Sequence, residues 1–230
     1  MRTALRTTLR TACSALRANA GRLFSIAALS AGALAGCAPP AAKPLGGAPA
    51  PRSALPSSEL APGYRQIVFD WEFEQGDSRM RGEGVVRLAP PDSARLDLFL
   101  GGGFGGGAAV LIGDDLRAPM VEAARRLIPP APMLWGALGR LAIPAAPDTA
   151  VRVDGSTTRA EIGTGPVWRA EFHGSRLARL DRIDDGRVRD FVNRREREVT
   201  YESFSPRSKL TLRIKRDEPA MGFDAKIWTP

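Results

Sequence analysis

The sequence predicts a mainly β protein of α+β type: a strongly curved antiparallel sheet, or half-barrel, of about eleven strands with short helices covering its concave side. Three observations predict it. Three segments before residue 114 alternate apolar and polar residues with period two, the pattern of half-buried strands; a short apolar run follows them, and seven further strand candidates follow residue 149. Clusters of Gly, Pro, Asp and Ser separate those segments closely enough for hairpins. Only the middle of the chain carries helix-spaced apolar stripes.

The N-terminus reads as a leader. Arg2, Arg6, Arg10, Arg17 and Arg22 precede an apolar run from Leu23 to Gly36, too short for a typical membrane-spanning helix. A basic region followed by a short apolar region is the pattern of a secretory signal, here residues 1–36. The run ends in Leu34-Ala35-Gly36-Cys37, which resembles the bacterial lipobox: an aliphatic residue, two small residues, then cysteine. That resemblance implies cleavage before Cys37 and acyl chains on Cys37, hence a membrane-lipid partner. Several acyl chains together anchor a protein durably, where one does so only marginally. Ala38 rather than Asp follows the cysteine, which by the enterobacterial sorting rule permits export to the outer membrane. The expected location is the periplasmic face of the outer membrane. Residues 37–62 carry seven prolines and almost no large apolar group, so they read as an extended tether, with the domain at 63–230.

Composition narrows the function. Removing the five signal arginines from 33 basic residues leaves 28 against 25 acidic ones, a balance of +3 in place of +8. The densest basic cluster, Arg187 to Glu198, is interrupted by Asp190, Glu196 and Glu198 and reads as a solvated strand face or turn in preference to an anionic-lipid patch. No nucleic-acid partner is expected, and the protein is read as a monomer. Cys13 leaves with the signal and Cys37 is acylated, so no disulfide is expected.

The elements follow in order. In "RQIVFDWEFEQ", Ile67, Phe69, Trp71 and Phe73 share one face. "RMRGEGVVRLAP" puts Met80, Gly82, Gly84, Val86 and Leu88 together, and "ARLDLFL" does the same with Leu96, Leu98 and Leu100. A glycine hairpin, "GGGFGGG", then carries Phe104 at its centre before the strand "AAVLIG". "PMVEAARRLI" and "PMLWGALGRL" each present one apolar stripe and start with proline, which suits a first helical turn. Seven strands follow: "AVRVDG", "TRAEIG", "VWRAEFHG", "SRLARLDRI", "RVRDFVNR", "EVTYESF" and "SKLTLRIKR". Alternation is poor around Leu177, Leu180 and Ile183, where a bulge would account for it.

Catalytic chemistry finds no support. Gly101, Gly103 and Gly106 formally fit G-x-G-x-x-G, but a strand follows where a dinucleotide site opens a helix. The single histidine, His173, ends a strand, and the pairs Asp114-Asp115 and Asp184-Asp185 sit at turns. No enzyme activity, cofactor or metal is expected.

The order of elements resembles the LolA/LolB-like lipoprotein carriers, and their outer-membrane LolB-like branch most of all. "ARLDLFLGGGFGGGAAVLIG" parallels that family's strand, loop, strand unit, with Phe104 where an exposed leucine stands and seven residues, mostly glycine, in place of NPLG. "PAPMLWGALGRLAIP" is similar to its short helix, and "VWRAEFHG" and "SKLTLRIKR" to its closing strands. The resemblance implies an apolar cavity for acyl chains of lipoproteins or other lipid, and a soluble periplasmic LolA-like carrier as partner. The cavity would be lined by Phe69, Trp71, Phe73, Leu96, Leu98, Trp135, Leu138, Trp168 and Phe172, with Phe104 at the membrane. A lipid-anchored scaffold with a filled core would use the same lining residues, so both readings stand.

Overall fold

The computed structural model describes residues 39–57, 59–102, 105–119 and 125–229. They form one 13-stranded sheet in which every paired neighbour is antiparallel. The strands are β1 (Ala48–Ala50), β2 (Tyr64–Gln75), β3 (Ser78–Ala89), β4 (Ser93–Leu100), β5 (Gly106–Ile112), β6 (Asp115–Arg117), β7 (Ala150–Asp154), β8 (Thr157–Ile162), β9 (Val167–His173), β10 (Arg176–Asp184), β11 (Arg187–Arg194), β12 (Glu198–Phe204) and β13 (Arg207–Ala220). The order is β1-β7-β8-β9-β10-β11-β12-β13-β2-β3-β4-β5-β6. The sheet is open: its edges are the three-residue strands β1 and β6. The first long strand, β2, pairs at the centre with the last, β13.

All eleven strands expected from the sequence are present. The irregular stretch is β10, whose register shifts between Leu177 and Arg179 against β9 and between Arg182 and Ile183 against β11. Each shift is a bulge that resets which parity faces inward, which is why a strict period of two fails there.

Among the described residues, the one α-helix given in full, α1 (Ala131–Leu138), lies in the long crossover from β6 to β7. Pro130 precedes it, and Gly139 ends it with φ of 95°. That left-handed residue lets Gly139 N–H reach Gly136 O at 3.1 Å and Arg140 N–H reach Trp135 O at 2.9 Å, closing the last turn. The helix is shorter than its apolar stripe, since Leu141 is buried beyond its end. The expected first helix falls largely on residues 120–124, outside the described residues, and Arg125 to Ile128 form a turn that buries Leu127.

Two strands lie beyond the sequence reading. β6 is a short return from β5, in which Asp115 pairs with Arg117. β1 lies in the segment expected to be a tether. Arg187 Nη1 donates to Pro39 O (2.9 Å), Val188 N–H to Pro40 O (2.9 Å) and Ala42 N–H to Gly186 O (2.8 Å). Ala48, Pro49 and Ala50 then pair with Val153, Arg152 and Val151. The chain is extended, as its prolines require, yet it is tied to the sheet. Strand pairing uses backbone groups, so a segment poor in large side chains can still be fixed.

Candidate functional site

The inner face of the sheet carries two apolar clusters with α1 between them. Phe69, Trp71 and Phe73 from β2, Leu96 and Leu98 from β4, and Leu134, Trp135 and Leu138 from α1 belong to the first. Phe172 from β9 and Met133 and Ala137 from α1 belong to the second, with Trp168 packed against it. Of the nine expected lining residues, eight are buried and Trp168 is half-buried. Phe69 and Phe172 are 1 % exposed and Trp135 is 0 % exposed, so no water-sized space remains against them in this state.

The aromatic row on β2 depends on β3. Phe69 lies opposite Gly84 and Trp71 opposite Gly82. A Cβ at Gly84 would sit 2.4 Å from Phe69 Cζ, and one at Gly82 would sit 2.8 Å from the Trp71 ring and 1.9 Å from Phe99 O. The rings therefore lie flat across the neighbouring strand, in space that only glycine leaves. Trp71 Nε1 donates to Glu83 O at 2.9 Å, so the ring is fixed without an unpaired polar atom.

Helix α1 is buried on every side from Met133 to Leu138. A helix with one apolar stripe would cover a flat sheet from above; this one is enclosed, because the sheet places a cluster on each flank. Gly136 allows the approach: a Cβ there would be 2.9 Å from Leu180 Cδ2. Few polar contacts hold the helix. Trp135 Nε1 donates to Gly113 O (2.7 Å) in the β5–β6 turn, and Arg194 Nη1 donates to Ala137 O. Burial lowers the Arg194 guanidinium to about 10, and the neighbouring Arg65 charge acts the same way.

The basic stretch at 187–198 is a correction to the sequence reading. It is not wholly a solvated face. Asp190, Val192 and Arg194 share the parity of the inner face, and Asp190 is 3 % exposed. Arg182 Nη2 meets Asp190 Oδ2 at 2.9 Å. Burial raises the Asp190 carboxyl to about 6 despite that cation. Asp190 Oδ1 and Arg182 Nε are buried without a hydrogen-bond partner. The signal for this was present: an acid in the same parity as Val192 and an arginine in that of Leu180.

His173 is exposed and its Nε2 lies 3.1 Å from Glu171 Oε1, while Glu171 Oε2 accepts from Arg159 at 2.7 Å. Asp115 pairs with Arg117, and Asp184 lies near Arg182 and Arg189. Cys37 and Phe104 lie outside the described residues. The C-terminal segment, without counterpart in the sequence resemblance, extends β13 to Ala220 and ends in a short 3-10 turn (Ala225–Trp228) whose Ile227 O accepts from Arg95 at 2.6 Å.

No protein-family model matches the chain, and no curated protein matches it by sequence. Solved structures do. A LolA superfamily protein from Nitrosomonas europaea superposes with a TM-score of 0.50 at 11 % identity, over 75 % of this chain and 93 % of that one. An outer-membrane lipoprotein-sorting assignment attaches to a domain from Vibrio parahaemolyticus with a TM-score of 0.41 at 8 % identity, over 75 % and 92 % of the two chains. A DUF1329 family protein from Desulfovibrio piger gives 0.42 at 10 % identity, over 73 % and 90 %. The open antiparallel sheet enclosing a short crossover helix, together with the first of these superpositions, gives this chain a LolA/LolB-like fold.

Proposed function

We propose that this protein is a lipoprotein anchored through Cys37 on the periplasmic face of the outer membrane, where it binds acyl chains on the inner face of its sheet and helps to localise or insert lipoproteins, or to carry lipid. The observation that carries this reading is the relation of α1 to the sheet. Apolar side chains from both halves of the sheet face inward, and one eight-residue helix on long connections lies between them. The helix is seated chiefly by apolar contact, which is non-directional, so another apolar chain can satisfy the same sheet residues. An acyl chain would take the place of α1 when the helix swings aside, against Phe69, Trp71, Phe73, Leu96, Leu98, Trp168 and Phe172. Transfer would follow affinity alone, with no nucleotide. Phe104 would act as the membrane contact at the β4–β5 tip, where burial of a Phe contributes roughly 1.5–3 kcal/mol, enough to bias a loop and weak enough to release. A soluble LolA-like carrier would deliver the cargo.

A specific observation favours a second reading, a non-catalytic lipid-anchored scaffold for envelope assembly. The near-zero exposure of Phe69, Trp135 and Phe172 is what a permanently dry core shows. One experiment separates the two. The protein is purified without signal and acyl groups, then assayed for co-purified lipid and for displaceable binding of an apolar fluorophore. Saturable binding competed by fatty acid supports the carrier; no lipid and no saturable binding leaves the scaffold. In the same assay Phe104→Glu should leave fluorophore binding intact and weaken contact with vesicles.

A further inference from the structure

The extended segment that follows the lipobox cysteine does not leave the domain free. Its first described residue, Pro39, is bonded through its carbonyl to Arg187, and Pro40 and Ala42 are bonded to Val188 and Gly186. All of these partners belong to the β10–β11 turn region. From there residues 40–46 run over the outer face beside Arg159, Arg169, Glu171 and Arg179, and end in β1 at the sheet edge. Cys37 precedes Pro39 by two residues, a reach of at most about 7.6 Å between Cα atoms. A free coil over residues 38–62 would instead allow a root-mean-square separation of about 25–30 Å.

The antiparallel register says what else shares that end of the sheet. The β2–β3 turn at 76–77, the β4–β5 hairpin, the β8–β9 connection at 163–166 and the β12–β13 turn at 205–206 all lie on the same side as the β10–β11 turn. The opposite end carries the β3–β4, β5–β6, β9–β10 and β11–β12 turns. The helix is bonded towards that opposite end, through Gly113 O in the β5–β6 turn and through Arg194 at the end of β11. On the inner face at the Pro39 end, Met80, Leu100 and Trp168 are only half-buried.

We propose that the end of the sheet bearing the β2–β3, β10–β11 and β12–β13 turns is the membrane-facing surface, seated on the bilayer that holds the Cys37 acyl chains. The less covered end of the inner face then opens towards the lipid, and the end at which α1 is bonded points away. The inference rests on acylation of Cys37 and adds to it an orientation that a free tether would not give.

The test uses full-length acylated protein in phosphatidylcholine–phosphatidylethanolamine vesicles containing a nitroxide-labelled lipid. Cysteines occur only at positions 13 and 37, so an introduced one can be labelled alone once the signal is removed and Cys37 is acylated. A fluorophore is placed in turn at Asp77→Cys and Asp185→Cys on one end, and at Asp114→Cys and Ser175→Cys on the other; all four positions are exposed. β10 has nine residues, so the two ends are about 30 Å apart. Loss of fluorescence at positions 77 and 185 and none at 114 and 175 is expected. Equal quenching at both ends, or stronger quenching at 114 and 175, overturns the orientation. A flexible Gly/Ser insert between Ala38 and Pro39 should abolish the contrast; a contrast that survives it overturns the role of the short reach. Intact mass identifies the other failure, because a mature protein without acyl chains overturns the anchor itself.

Discussion

Single residues decide whether this inner face can exist, and Asp190 carries a clear cost. Its carboxyl is nearly inaccessible and keeps one oxygen unpartnered beside Arg182. The unfolded group titrates near 3.8 and the folded one near 6, raised chiefly by burial and then by Asp184 and Asp181 against the pull of Arg182. The folded state thus holds the proton more tightly. Its advantage is complete below pH about 4, falls as pH rises, and is spent above pH about 6. A shift of that size corresponds to at most about 3 kcal/mol. Asp190→Asn cannot titrate, so its stability relative to the parent should improve between pH 4 and pH 7, read from urea midpoints at each pH. A constant difference would mean that the carboxyl ionises normally. Gly82 and Gly84 act by the opposite means, supplying nothing but room for Trp71 and Phe69.

At the scale of elements, α1 is the part whose seat bears on the proposed function. Two side-chain bonds and a left-handed glycine fix it, and Arg194 supplies the bond nearest its C-terminus, where a cation also complements the helix dipole. Arg194→Met should remove the bond to Ala137 O and lower stability by about 1–3 kcal/mol. It should also speed entry of an apolar fluorophore if the helix gates the inner face, measured by stopped flow. Lower stability with unchanged entry would separate the helix from any gate. Much of this element-scale design is legible in the sequence. The β2 aromatics, Gly82 and Gly84 on one face of β3, and the helix with its leading proline follow from period and turn chemistry, whereas the stop at Gly139 does not, because the apolar stripe runs on to Leu141. What is not legible arises where side chains do not carry the signal. β1 reads Ala-Pro-Ala and pairs through its backbone; Asp190 and Arg194 face inward only because of parity on a strand whose composition is that of a surface. The lining residues are legible as inward-facing, but whether they enclose a filled or an opening space depends on how firmly α1 is seated and not on their identity.

The whole molecule poses an edge problem, since an open sheet of 13 strands has two edges and each could recruit another chain. One edge is blunted by the three-residue β6, which carries the charged pair Asp115 and Arg117. The other would be β7, whose Val151 is buried and whose backbone is complete over five residues. The segment before Pro51 covers it: β1 takes up the hydrogen-bonding edge, and Arg152 Nη1 donates to Gly47 O at 2.9 Å. The same segment fixes the β10–β11 turn through Pro39 and Pro40, so one strap protects an edge and sets where the chain leaves the domain. A protein beginning at Pro51 should therefore keep the central strands β2 and β13 but lose protection in β7. Hydrogen exchange should quicken at Val151 and Val153 while Trp71 and Leu212 stay protected. The exposed edge should also make the truncated protein associate with rising concentration, read by sedimentation, while the longer chain remains monomeric. If exchange in β7 and the sedimentation behaviour match those of the longer chain, the strap is decoration, and the proposed membrane orientation loses its structural basis as well.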